Sequence, residues 1–284
     1  MTATQEFGGD WTEQKLAILD KYLAAYSAIF RSNAQARYFE TIYVDAFAGT
    51  GVIEQSNGDD TARLLAGSAS RAIRHEFDRY VFIEKSAERV SKLQELKRAS
   101  RANHKITVLH GDANTELLKL VRSTDWKKHR AVVFLDPYGM QVDWKTIAAI
   151  GATNAIDLWF LFPLGQAVMR MLVKGSAPPT EWSQSLDRVF GTADWKRQFY
   201  ITIAQGELFG GETVNTYRHA DWRAVKKFLV ERLQLAFDSV HPKPAVLRNS
   251  NNAPIFLFCF AAANPRGAKT ALKIADHLLK PFDS

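Results

Sequence analysis

The chain has 284 residues, 46% hydrophobic and 24% charged, with a formal net charge of +7. That length can bury one large α/β core, and so ordinary a composition excludes the disordered and fibrous classes. No apolar run reaches the roughly 18 residues of a membrane span, and Met1-Thr2-Ala3-Thr4-Gln5-Glu6 lacks the basic-then-apolar pattern of a secretory leader, so a cytoplasmic protein without membrane contact is expected.

Leu16, Leu19, Leu23, Tyr26, Ala28 and Phe30 recur at helical spacing, which predicts an amphipathic helix over 11–31 on the flank of a sheet, with Thr12 as N-cap. The aromatic and β-branched run Tyr38 to Phe47 predicts the first buried strand, which enters the stretch Val44-Asp45-Ala46-Phe47-Ala48-Gly49-Thr50-Gly51. Gly49 and Gly51 would let a ligand approach backbone N–H groups and allow positive φ; a tight turn without a ligand uses glycine in the same way. The polar stretch Glu54 to Asp60 reads as an extra loop before a helix near Ser68. Glu54 also stands where a dinucleotide fingerprint needs its third glycine, which weakens a nicotinamide oxidoreductase.

Arg79 to Ile83 predicts strand two, with Glu84 at its tip, where it would accept from both hydroxyls of a ribose or be solvated. Its separation from Gly51, 84 − 51 = 33 residues, exceeds the usual spacing of about 20 because of the polar insertion. A helix over Ser86 to Ala99 leads to strand three, Ile106 to Leu109, and then to Asp112, which would accept from an amine or cap a helix over Thr115 to Val121. Strand four, Ala131 to Leu135, runs into Asp136-Pro137-Tyr138-Gly139. An acid, a φ-fixing proline and an aromatic at a strand tip can orient a planar amine-bearing group; turn chemistry alone also selects them.

Strand five is Ala155 to Phe162, and the region Leu172 to Gly211 reads as a helical insertion. A helix over Asp221 to Phe237 precedes strands Ser239 to Leu247 and Pro254 to Ala262, joined by the turn Asn249-Ser250-Asn251-Asn252, and a closing helix Ala268 to Leu279. The single cysteine, Cys259, lies in the last strand and predicts a buried small hydrophobe; a disulfide framework and a cysteine metal site within this chain are excluded. The positive charge fits a polyanionic partner, although its concentrations at Lys92 to Arg101, Arg122 to Arg130 and Arg218 to Lys227 also fit solvated helix faces.

A glycine loop, Glu84, Asp112 and Asp136 thus stand at four successive strand ends, which in an open α/β sheet face one crevice. These motifs resemble those of class I S-adenosylmethionine-dependent methyltransferases. The opening Trp11 to Tyr22, the Tyr43 to Gly49 strand, the Asp-Pro-Tyr-Gly tetrad and the end strand Pro254 to Ala262 together resemble the three-Cys-motif partner protein family, TcmP, over nearly the whole chain. The resemblance implies a Rossmann-like α/β fold: a mostly parallel seven-stranded sheet with an antiparallel end strand. It would form a single domain, 1–284, with an N-terminal helical extension over 1–37 and a helical insertion over 166–218 between strands five and six.

The resemblance further implies S-adenosylmethionine as cofactor. Asp45, Gly49 and Gly51 would surround its methionine part, Phe47 and Ala48 would also belong to the cofactor site, Glu84 would hold the ribose, Asp112 with Ala113 would flank the adenine, and Asp136, Pro137 and Tyr138 would lie beside the methyl. The implied partner is a separate protein carrying a three-cysteine motif. The tetrad is also similar to the Asp/Asn-Pro-Pro-aromatic motif of methyltransferases acting on exocyclic amines of nucleic-acid bases, except that Tyr138 replaces the second proline and Gly139 the aromatic. Two functions follow as expectations: N-methylation of a nucleic-acid base, or a non-catalytic module that docks the partner.

Overall fold

A computed structural model describes residues 10–50, 52–55, 63–206 and 212–282. Gly51 and most of the polar stretch lie outside them. In chain order the elements are α1 (Asp10–Ser32), β1 (Glu40–Asp45), β2 (Val52–Gln55), β3 (Arg63–Ala66), α2 (Ser68–Ala72), β4 (Arg79–Glu84), α3 (Ala87–Ala99), β5 (Ile106–His110), α4 (Ala113–Ser123), β6 (His129–Leu135), α5 (Trp144–Gly151) and β7 (Ile156–Phe162). After a π-helical turn, Leu164–Met169, follow α6 (Thr180–Phe190), α7 (Trp195–Phe199), β8 (Tyr200–Gly206), β9 (Glu212–Arg218), α8 (Trp222–Ala236), β10 (Ser239–Val240), β11 (Ala245–Arg248), β12 (Pro254–Ala262) and α9 (Ala268–Leu279).

The main sheet runs β10-β12-β7-β6-β1-β4-β5, with β11 also on β12. The pairs from β5 to β7 are parallel and β12 is antiparallel to β7. Strands β10 and β11 pair with opposite ends of β12, so they form one interrupted strand and the sheet has seven positions. Pro242 and Pro244 lie in the interruption, where they offer no N–H to a ladder.

Alternation along each strand decides the two layers. Ile42, Val44, Val81, Ile83, Val133 and Leu135 face one core, covered by α4, α5 and α8. Tyr43, Phe82, Val132, Phe134 and Trp159 face the other, covered by α1, α2, α3 and α9. Cys259 is buried as expected, and burial pushes its thiol well up.

Several expectations change. Helix α1 already includes Asp10, so Thr12 is a buried helical residue and not an N-cap. The stretch before Ser68 is not simply a loop, because β2 and β3 pair antiparallel. The insertion is helical in α6 and α7 but ends in the hairpin β8–β9, where Ile201, Thr202, Ile203 and Thr216 supply β-branched residues. Helix α5 is an element that the sequence reading lacks; only eight residues long, it shows little periodicity.

Candidate functional site

Strand β1 lies between β4 and β6, so the chain turns from one side of β1 to the other at this point. Ligands of doubly wound sheets bind outside the strand C-termini at such a switch. The tips of β5, β4, β1 and β6 stand side by side there, a row about 14 Å wide at the usual strand spacing.

Glu84 at the β4 tip is buried and fastens the row. Its Oε2 accepts from Gly49 N–H at 3.0 Å, and its Oε1 accepts from Lys85 and Ser86 N–H at 2.9 and 2.8 Å. A carboxylate has about four acceptor positions, so one remains, enough for one hydroxyl where the sequence reading anticipates two. Gly49 has φ +61°, and among the described residues a Cβ there would meet no atom within 4 Å. The left-handed backbone demands glycine, and the space beside it is open.

Asp45 is fully buried; its Oδ1 accepts from Phe47 N–H at 3.2 Å and its Oδ2 from the Tyr43 hydroxyl at 3.5 Å. Burial pushes its carboxyl up to about 7; Asp136 pushes the same way, against Ser68, Phe47 N–H and Lys15. Two carboxyls therefore share this corner. Ala48 is buried and its N–H donates to Ile83 O, so Phe47 and Ala48 shape the loop through the backbone.

At the β6 tip, Asp136 Oδ2 accepts from Lys15 Nζ at 2.5 Å. The Lys15 side chain is 7% exposed and that of Asp136 24%. The ammonium also lies 4.8 Å from the ring centre of Trp11. Lys15 escaped the sequence reading, yet a signal exists. It sits four residues before Leu19, in line with the buried residues Leu19, Tyr22, Leu23 and Tyr26, and a lysine on the apolar face needs a partner. Two further pairs, Arg71 with Glu13 at 2.7 Å and His75 with Asp20 at 2.7 Å, hold α1 to the segment beyond β3.

Pro137 is buried, whereas Tyr138 is 58% exposed. Gly139 follows with φ +71°, and Gln141 Oε1 accepts from Tyr138 N–H at 3.0 Å, closing the turn. Desolvation raises the Tyr138 phenol, Arg89 pulls it down and Asp136 adds to the rise, which places that ring among both charges. Asp112 takes the capping alternative: its Oδ1 accepts from Thr115 N–H at 3.1 Å at the start of α4, and Ala113 is buried behind it. The next residue, Asn114, is a joint that the sequence reading missed. Its Oδ1 accepts from Asp143 N–H and the Thr146 hydroxyl, and its amide donates to Gln141 O, tying α4 to the loop after β6.

Among the described residues, no group of three or more His, Cys, Asp or Glu is placed to hold a metal ion, and no helix is long and apolar enough to cross a membrane. The arrangement offers a row of strand tips with one acidic acceptor, Glu84, at its middle and a second, Asp136, at its end, while the backbone N–H groups of Phe47, Ala48, Gly49, Lys85 and Ser86 are taken up by Glu84, Asp45 and Ile83 O.

The strand order, with its antiparallel strand inserted beside β7, defines a Rossmann-like methyltransferase fold. No family model and no curated protein matches the chain. Similar solved structures include a Legionella pneumophila protein under the family model DUF519, 13% identical over 97% of this chain and 93% of that one, TM-score 0.48. The N-terminal domain of EvdMO1, crystallised with SAH and D-fucose, is 10% identical over 90% and 84%, TM-score 0.43. A putative methyltransferase, yhhF, from Escherichia coli is 13% identical over 77% and 90%, TM-score 0.33. Likeness at this level carries nothing about activity, which has to be read from this chain's own residues.

Proposed function

We propose that the chain is an S-adenosylmethionine-dependent methyltransferase that modifies an exocyclic amine of a nucleic-acid base. The observation that carries this reading is the clamp of Glu84 on Gly49 N–H beside open space, at the switch point of the sheet. The row of acceptors fits the hydroxyl and amine groups of a nucleoside. Glu84 keeps one acceptor position for a ribose hydroxyl, the Gly49 backbone leaves room for a close approach, and exposed Asp112 stands at the adjacent strand tip.

When bound, the cofactor supplies an electrophilic methyl on a sulfonium. The chain's own residues then orient the acceptor. Asp136 Oδ2 is held by Lys15, so Oδ1 and the Pro137 carbonyl are the groups assigned to accept the amine hydrogens as its nitrogen turns toward the methyl. Lys15 fixes the plane of the Asp136 carboxyl. Tyr138, exposed beside it, provides a face for the base. Asp136→Ala is expected to retain cofactor binding while methyl transfer to oligonucleotides is lost; full activity would remove Asp136 from the mechanism.

One observation favours a second reading. The Lys15 ammonium already occupies the carboxylate that would receive the amine, as in a non-catalytic module whose site has been closed by its own first helix. Methyl incorporation by the wild-type protein separates the two. On the family resemblance we also propose a separate three-cysteine partner, since Cys259 is the single cysteine here and is buried; co-purification with such a protein tests it.

A further inference from the structure

We propose that the groove between α1 and α9 is a track for single-stranded nucleic acid, separate from the Glu84–Asp136 slot. It measures about 500 Å³, with Lys21, Lys273 and His277 on its walls and Ala25, Ile274 and Leu278 among its apolar residues. No acid lines it.

The pattern on α9 carries the assignment. Lys269, Lys273 and His277 follow one another at four-residue steps along α9, and Lys280, in the short turn that follows the helix, comes three later and extends the same ridge. Successive members are about 5–6 Å apart at Cβ, and the like charges of Lys269 and Lys273 at this spacing destabilise a helix. Among the described residues none of them, nor Lys21 opposite, has an acidic partner; the nearby acids Asp20 and Asp276 are turned to His75 and His241. An unneutralised cationic ridge along the groove is complementary to a chain of phosphates, and among the described residues the His277 ring is the one flat face in the lining on which a base can stack. The floor lies between two packed helices, which suits a single strand and not a duplex.

Helix α1 links the two sites. Lys21 lies six residues beyond Lys15, a rise of about 9 Å and a turn of roughly 120° around the helix, so the groove and the slot open on different faces of α1, and a strand in the groove has to pass around that helix to become the methyl acceptor. Only this last point, that the tracked strand is also the methyl acceptor, rests on the methyltransferase reading; binding in the groove does not.

The test is fluorescence anisotropy of a labelled oligoribonucleotide of about a dozen nucleotides, with its deoxy counterpart, the matching duplex and phosphatidylserine–phosphatidylcholine vesicles as further arms, and with no cofactor added. Four lysines predict a salt slope of log K near −3, from about −0.7 per phosphate for single strands. The double variant Lys21→Gln/Lys273→Gln is expected to halve that slope and weaken binding about tenfold, with an unchanged melting temperature. The control Lys127→Gln/Lys128→Gln, on the exposed loop before β6, is expected to change neither. Equal losses in both doubles, no loss in the first, or preference for duplex or vesicles over the single strand would each overturn the proposal. Because no methyl transfer is involved, a failure of the enzyme reading leaves this result standing, and the reverse also holds.

Discussion

The ammonium of Lys15 lies 2.5 Å from Oδ2 of Asp136 across 121 residues of chain, joining the first helix to the tip of the fourth parallel strand. The pair is nearly buried, and a second carboxyl, that of Asp45, is close enough for its titration to respond to both partners. The N-terminal helix is thus a wall of the site and not only a cover for the sheet.

Removing the cation should therefore cost stability. Lys15→Met leaves Asp136 beside Asp45 without a counter-charge, and breaking a buried pair from one side costs about 3 kcal/mol. Urea denaturation is expected to show that loss, and Lys15→Met/Asp136→Asn to recover a good part of it. Equal stability of Lys15→Met and wild type would place the pair at the surface in solution.

The buried acids set a pH dependence. Burial pushes Asp45 and Asp157 up to about 7, and the Tyr22 hydroxyl donates to Asp157 Oδ2 at 2.6 Å. Between the ordinary carboxyl range near 4 and about 7, the folded chain keeps protons that the unfolded chain has released, so stability falls as pH rises and levels off above. Each group contributes about 1.4 kcal/mol per pH unit. Asp157→Asn, which still offers Tyr22 an acceptor, is expected to halve the slope of stability against pH in that window; an unaltered slope would mean that Asp157 titrates normally.

Gly49→Ala tests the loop. A non-glycine residue at φ +61° costs about 1–2 kcal/mol, and its methyl would enter the open space next to the Glu84 clamp. Both a lowered melting temperature and weaker S-adenosylhomocysteine binding are expected. A stability loss with unchanged binding would move the ligand away from Gly49.

Much of this arrangement is visible in the sequence for a simple reason. Buried parallel strands such as Ala131 to Leu135 are short apolar runs, and a polar residue at the end of each, Glu84 or Asp136, marks the edge where the strand leaves the core. What depends on distant partners is not visible. Lys15 looks like any helical lysine until Asp136 is placed over it, and Asp112 could serve an amine or a helix until Thr115 N–H is seen to take it. The hairpin β8–β9 and the short α5 were missed because one sits in a segment rich in helix signals and the other spans barely two turns.

The most direct test of the central claim is calorimetric titration of S-adenosylmethionine and S-adenosylhomocysteine into the wild type, Glu84→Ala and Asp136→Ala. Glu84→Ala leaves three N–H groups without their acceptor, each costing about 1–3 kcal/mol if kept from water, so its fold is checked first by circular dichroism, with Glu84→Gln as the milder variant. The account predicts saturable one-to-one binding by the wild type and Asp136→Ala, and at least tenfold weaker binding by both Glu84 variants. No binding to the wild type, or binding indifferent to Glu84, would contradict it.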